Sequence, residues 1–121
     1  ADLRNRKNRL ARDGIQTEVR LVERGILNYL DGFLSMYRQR RQAAKQPNVF
    51  DAHPTMRPFL EAVIRDYETR GWVRLSLLVS GETILAYQLD WLQNGIWYHY
   101  MPAFDGRFAE YSPGKILLTK R

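Results

Sequence analysis

Hydrophobic positions recur at helical spacing in two long segments of the first half of the chain. Between residues 25 and 46 they follow each other at intervals of three and four, which predicts an amphipathic helix that Pro47 ends. A second helix with one apolar face is predicted over residues 55–70, and Gly71 is a suitable residue to end it. A shorter basic segment, residues 2–13, predicts another helix with only a thin apolar stripe, so we expect it to lie on the surface of the domain.

Alternating hydrophobic and polar positions replace the helical spacing after these helices. Residues 73–79 and 85–91 alternate in this way and predict two half-buried strands. Asn94-Gly95 favours a type I′ hairpin turn, because both central residues of that turn require positive φ. The aromatic segment IWYHYM at residues 96–101 predicts a third strand, and the three strands together form an antiparallel meander.

Two further segments complete the predicted fold. Pro102 has no N–H group, so we expect it to interrupt strand pairing at the end of the third strand. Residues 15–22 alternate loosely and predict one more strand ahead of the helices. The pattern as a whole indicates an α+β fold, in which N-terminal helices pack on an antiparallel meander that a C-terminal helix follows.

The net charge of +6 comes entirely from the first third of the chain. Residues 1–45 carry eleven Lys and Arg against five Asp and Glu, and the remainder is balanced. A basic surface of this kind is usually a solvated face, and the alternative is a surface that binds a polyanion or an anionic lipid head group. The chain has no cysteine, which excludes disulfides and thiol nucleophiles. It also has no segment near the ~20 apolar residues of a membrane span.

A helix start with the sequence Ser-Pro-Gly-Lys follows the meander near the end of the chain. Ser112 is a suitable N-cap, and Pro113 fits the first helical position because it has no N–H group to leave unpaired. The N–H groups of Gly114, Lys115 and Ile116 then point out of the helix end, where the helix dipole favours an anion such as phosphate. The alternative is an ordinary helix start without a ligand, and the spacing of a P-loop is absent.

Helices, an antiparallel meander and a glycine-containing helix start together resemble the GNAT acetyltransferase fold. More narrowly, the segments FLEAVIRDYETRGWVRLSLLVSGETILAYQL and GIWYHYMPAFDGRFAEYSPGKILL resemble the acetyltransferase domain associated with bacterial cellulose biosynthesis proteins. The basic segments LRNRKNRLARDG and YRQRR extend the resemblance over nearly the whole chain. The positions that match the pattern of this branch are Ala86, Tyr98, Tyr100, Asp105, Ser112, Pro113 and Gly114.

The resemblance implies a single GNAT-like domain over residues 1–121 that transfers an acyl group from acyl-coenzyme A to an amine of a small molecule, sugar or peptide. It implies coenzyme contacts from the backbone near Met101 and Ala103 and from the helix start. The implied residues of the helix start are Ser112, Gly114, Lys115 and Ile116. The family continues into a fifth strand that is absent here, so we expect a fragment whose open sheet edge favours pairing with a second copy. We also expect a cytoplasmic location.

Three residues in or near the third strand are candidates for catalysis. His99 is a candidate base because imidazole exchanges protons near neutral pH, and a structural role is the alternative. By alternation it shares a face with Trp97 and Met101, whereas Tyr100 lies on the opposite face, where core packing or substrate lining is the alternative to acid catalysis. Asp105 is a further candidate base, with a turn or surface role as the alternative. No set of metal ligands is visible.

Two other functions remain open from the sequence. Transferases of the peptidoglycan-bridge type share a GNAT-like core and use aminoacyl-tRNA, and the basic first third of the chain favours such a donor. A non-enzymatic module is the second alternative, in which the basic helix and the aromatic strand hold single-stranded nucleic acid by charge and stacking. Tight, salt-sensitive tRNA binding distinguishes these alternatives from coenzyme A-dependent transfer.

Overall fold

The computed structural model describes residues 14–107, in which four antiparallel strands form one open sheet. The strands are β1 (Glu18–Val22), β2 (Val73–Ser80), β3 (Thr83–Gln93) and β4 (Ile96–Phe104), and they lie side by side in chain order. The predicted meander is confirmed as β2, β3 and β4. The strand predicted within residues 15–22 is confirmed as β1, which pairs with the free side of β2. The mixture of helices with an antiparallel sheet confirms the α+β class.

The two predicted long helices are present, and a short helix links them. The helical elements are a 3₁₀ turn (Ile26–Tyr29), α1 (Leu30–Ala43), α2 (Val49–Ala52) and α3 (Met56–Arg70). Gly71 ends α3 as predicted, because it adopts a left-handed φ of 71° and its N–H group donates to the last turn. The sequence pattern did not predict α2, which begins where the side chain of Asn48 accepts a hydrogen bond from the N–H of Phe50.

The helices pack on one side of the sheet, which we call the helix face. Its core consists of fully buried apolar side chains from the helices and from alternate strand positions, among them Ile26, Phe33, Leu60, Ile64, Leu75, Leu77 and Leu89. Each fully buried side chain of this size contributes roughly 1.5–3 kcal/mol to folding. Phe33 of α1 packs on Tyr87 of β3 with ring centroids 5.1 Å apart. Gly32 allows this approach, since a Cβ there would lie 2.6 Å from the Tyr87 hydroxyl.

Pro102 does not interrupt β4, so that prediction is wrong. The strand continues to Phe104, and Pro102 pairs with Gln88 of β3. The N–H of Asp105 donates to the carbonyl of Leu85, and alternation along the strand therefore directs the nitrogen of Pro102 away from β3. A proline on the outer side of a terminal strand removes no bond from the ladder.

A β-bulge in β4 changes the side-chain alternation that the sequence predicts. The turn at Asn94-Gly95 has the expected positive φ values of 53° and 76°. Pairing then proceeds in regular steps until the bulge, where Leu89 opposes Met101 and Tyr100 is the extra residue. Met101 consequently lies in the core of the helix face, and the prediction that it shares a face with His99 is wrong.

Candidate active site

A histidine held by a buried carboxylate lies at the bulge of β4. Nδ1 of His99 is 2.9 Å from Oδ1 of Asp90, its cross-strand neighbour on β3. The Asp90 side chain is fully buried, whereas 55% of the His99 side chain is exposed. Because a carboxylate only accepts hydrogen bonds, Nδ1 is the donor of this bond, and Nε2 is then the nitrogen that can accept a proton. This is the arrangement of a base that a second group orients.

Asp90 belongs to a polar cluster on the face of the sheet opposite the helices. We define the cluster by its four residues Arg74, Ser76, Gln88 and Asp90. Nε2 of Gln88 donates to Oδ1 of Asp90 over 3.2 Å, and Nε of Arg74 lies 3.6 Å from Oδ2. The Arg74 guanidinium also stacks on Trp97 of β4, 4.0 Å from the ring centroid. These contacts fix the carboxylate that orients His99.

Tyr100 is adjacent to His99 in sequence but projects to the helix face. Its ring contacts Trp91, with centroids 5.3 Å apart. Burial raises the pKa of the Tyr100 hydroxyl, with a smaller contribution from Tyr37. The hydroxyl therefore remains protonated at neutral pH and is a potential proton donor. A proton acceptor, His99, and a proton donor, Tyr100, thus lie at neighbouring positions of β4, on opposite faces of the sheet.

The outer edge of β4 is the end of the sheet within residues 14–107. The side chains of Met101 and Ala103 are buried in the helix-face core, with 6% and 4% exposure. Their N–H groups are directed toward β3, as that of Asp105 is, so the ladder uses them. At the outer edge the strand instead presents the backbone of Pro102 and Phe104, of which only Phe104 has an N–H to donate.

Asp105 lies at the far end of β4, at a distance from His99. The two residues are six positions apart along the chain, roughly 20 Å. The side chain of Arg107 donates to the carboxylate of Asp105, and these hydrogen bonds hold its pKa below the ordinary value. A carboxylate stabilised in this way is a weak base. Of the three predicted catalytic residues, Tyr100 therefore lies near His99, whereas Asp105 does not. A cavity of about 450 Å³ beside Asp105 is lined by Arg40 of α1 and by Arg107.

Asp90 is the functional candidate that the sequence analysis missed, although the sequence contained a signal for it. A two-residue hairpin at Asn94-Gly95 pairs Gln93 with Ile96, and counting back along both strands places Asp90 opposite His99. The predicted coenzyme residues of the helix start lie outside residues 14–107, and their roles stay predictions. They are Ser112, Gly114, Lys115 and Ile116.

Within residues 14–107, no three His, Asp or Glu side chains form a group that would hold a metal ion. None of the helices in that part of the chain has the length and apolar character needed to cross a membrane.

The family described as acetyltransferase (GNAT) domain matches residues 1–120, which is nearly the entire chain. No curated protein matches the chain.

Proposed function

Because the chain belongs to the acetyltransferase (GNAT) domain family, we propose that it carries an acyl-coenzyme A-dependent N-acyltransferase site at the outer edge of β4. The family supports transfer of an acyl group to an amine in general. One observation carries the location of the site: His99, oriented by Asp90, lies at the bulge of the strand that ends the described sheet. A bulge at the end of a sheet is a common way to re-aim side chains beside an active site.

The described residues fit an acyl-coenzyme A molecule at this edge. As a thioester, acyl-coenzyme A supplies an activated acyl group. The N–H of Phe104 is directed away from β3, which is the strand neighbour of β4 within residues 14–107, so it can donate to a carbonyl group of the ligand. Arg40 lines the cavity at the end of β4 beside the ion pair of Arg107 and Asp105, and the positive charge of Arg40 suits a phosphate group. The predicted anion site at residues 112–116 follows a few residues later in the chain.

His99 and Tyr100 divide the proton transfers of the proposed reaction. Nε2 of His99 takes the proton that the acceptor amine loses as its nitrogen attacks the acyl carbon. Asp90 stabilises the imidazolium that results, because its carboxylate already accepts from Nδ1. The protonated hydroxyl of Tyr100 is the group that returns a proton to the departing sulfur. The new C–N bond thus replaces the C–S bond, and it leaves an imidazolium at His99 and a tyrosinate at Tyr100. Transfer of the imidazolium proton to Tyr100 through solvent then returns both groups to their starting states.

The link to bacterial cellulose biosynthesis is part of the proposal and rests on sequence resemblance. It predicts that loss of the gene changes the amount or chemistry of exopolysaccharide that the cells produce. Unchanged polysaccharide would remove this link without affecting the proposed transfer chemistry.

Calorimetric titration of the complete protein with acetyl-coenzyme A, combined with amide hydrogen exchange, tests the proposal. We expect saturable binding and slower exchange in peptides that cover Phe104 and residues 112–116. The β2–β3 turn serves as the internal control and should exchange at the same rate with and without ligand. If neither acetyl- nor longer acyl-coenzyme A binds, the proposal is wrong. Salt-sensitive binding of tRNA instead would identify aminoacyl-tRNA as the donor.

A further inference from the structure

A second cavity opens on the helix face, between α3 and the hairpin of β3 and β4. Its volume is about 590 Å³, within the range of small-molecule sites. We call it the aromatic cleft, after the five rings that line it. They belong to Phe59, Tyr67, Trp72, Trp91 and Tyr100. The proposed transfer chemistry gives a role to Tyr100 but to none of the other four rings.

The rings of the aromatic cleft hold one another in place while remaining partly open to solvent. Tyr67 meets both Trp72 and Trp91 edge-on, with centroids 5.4 Å apart in each case. Arg70 stacks on Trp72 and further restrains the indole. Exposure nevertheless reaches 63% for Phe59, 40% for Trp72 and 42% for Tyr100. Such rings form a rigid apolar surface that binds a ligand at little conformational cost.

The rim of the cleft adds hydrogen-bonding groups without adding charge. Gln93 and Asn94, at the hairpin turn, contribute carboxamides. Each carboxamide both donates and accepts hydrogen bonds, as a hydroxyl group does. The lining within residues 14–107 includes no Asp, Glu, Lys or Arg. Arg70, which stacks on Trp72, is already paired with Asp66 over 3.1 Å, so a charged ligand would find no unpaired counter-charge among these residues. An aliphatic chain would leave the carboxamides unused.

We propose that the aromatic cleft binds an uncharged sugar ring. The apolar C–H face of the ring stacks on the exposed faces of Trp72 and Tyr100, and the hydroxyl groups at its edge bond with Gln93 and Asn94. Tyr100 also forms the bulge of β4, so the bound sugar lies beside the proposed transfer site. The proposal requires binding alone, and it stands or fails separately from the transfer reaction.

Titration of the complete protein with neutral disaccharides, followed by tryptophan fluorescence, tests this proposal. Maltose, lactose and cellobiose are the probes, and indole and octanol serve as ligands without sugar hydroxyls. Two of the three tryptophans, Trp72 and Trp91, line the cleft, whereas Trp97 lies on the opposite face under Arg74. We expect at least one disaccharide to give a saturable change in emission.

Variants connect that change to the cleft. Trp72→Ala should weaken sugar binding by about tenfold or more, because it removes the main stacking surface. Gln93→Leu should weaken it several-fold while leaving indole binding intact. Leu21→Ala is the control, since Leu21 is an exposed apolar side chain (49%) on β1 outside the lining, and its loss should not change the affinity.

Three results would overturn the proposal. The first is the absence of a saturable response to every disaccharide in a protein that melts cooperatively. The second is sugar binding that Trp72→Ala and Gln93→Leu leave intact. The third is a preference for indole or octanol over the sugars, which would identify the cleft as a purely apolar site.

Discussion

Both faces of the sheet bury apolar side chains, but the face opposite the helices also buries polar ones. On the helix face, alternate positions of β2 and β3 carry Leu75, Leu77 and Leu89, which pack against α1 and α3. On the opposite face, the intervening positions include Ser76 and Asp90, which are just as inaccessible to water. Apolar contacts are non-directional and stabilise the fold in proportion to buried area. Buried polar groups instead fix particular atoms, and here they fix the carboxylate that holds His99.

Burial of the polar cluster adds little to stability, and we therefore infer that its residues serve the function of the protein. A buried ion pair such as that of Arg74 and Asp90 adds little net stability, because desolvation offsets the attraction. Burial lowers the pKa of Arg74, as expected for a charge withdrawn from water. The cluster therefore contributes mainly geometry, and the helix face contributes mainly stability. Substitutions on the two faces should separate these contributions.

The largest effect on stability is expected from Phe33→Ala on the helix face. Truncation of this buried ring leaves a cavity next to Tyr87 and should lower the free energy of unfolding by about 3–5 kcal/mol. Urea denaturation measures the loss. Ile64→Val, at an equally buried site, is the graded control and should cost about 0.5–1.5 kcal/mol. Equal losses in the two variants would contradict the description of this face as a close-packed core.

Asp90→Asn on the opposite face should change the reaction rate more than the stability. The amide keeps the shape of the side chain but no longer stabilises an imidazolium, so we expect acyl transfer to slow by about 10- to 100-fold with unchanged affinity for acetyl-coenzyme A. Steady-state kinetics of the complete protein provide the measurement.

Ser76→Ala is the control for Asp90→Asn in the same cluster. The Ser76 hydroxyl is buried without a hydrogen-bond partner in the described part of the chain, so its removal should leave the rate unchanged and the stability equal or higher. If Asp90→Asn transfers at the normal rate, Asp90 does not position His99.

Gly32→Ala should have an intermediate effect, because two opposing terms act at this position. Alanine favours the helical state by about 1 kcal/mol over glycine. The new Cβ would lie only 2.6 Å from the Tyr87 hydroxyl, and relief of this overlap by a backbone shift costs about 1–3 kcal/mol. We expect a net destabilisation of up to about 2 kcal/mol in thermal unfolding. The double variant with Tyr87→Phe should recover most of the loss; no recovery would place the strain elsewhere.

Asp105 should give the smallest effect, and this effect should disappear in acid. Hydrogen bonds from Arg107 lower the pKa of Asp105 in the folded state below its ordinary value of 3.8. Their stabilising contribution is therefore complete above about pH 4 and disappears as the pH falls through the folded-state pKa. Asp105→Asn should lower the free energy of unfolding slightly at pH 7 and converge with the wild type as the pH falls through the folded-state pKa, so that folding of the variant is slightly less sensitive to acid. A large loss at pH 7 would show that the pair supports the fold.

The sequence predicted the elements of the fold but not the irregularities that shape the site. The helical spacing of apolar residues and Gly71 were sufficient to predict α3 and its end. Asn94-Gly95 was sufficient to predict the hairpin and its register. That register also pairs Asp90 with His99, so this contact was predictable in principle. The bulge at Tyr100 was not, because an extra residue becomes visible only against the partner strand. Whether β4 tolerates Pro102 likewise depends on which side of the strand has no neighbouring strand within residues 14–107, and the arrangement of the whole sheet decides that.

The rate of acyl transfer by His99→Gln tests the central claim most directly. The complete protein is first supplied with acetyl-coenzyme A and a panel of primary amines, and release of free thiol identifies the best acceptor. With that acceptor, the variant should be about 10²- to 10³-fold slower than the wild type, since its amide cannot take the proton. Calorimetry should show that it still binds acetyl-coenzyme A normally. Transfer at the wild-type rate would contradict the assignment of His99 as the base and would place the chemistry elsewhere in the domain.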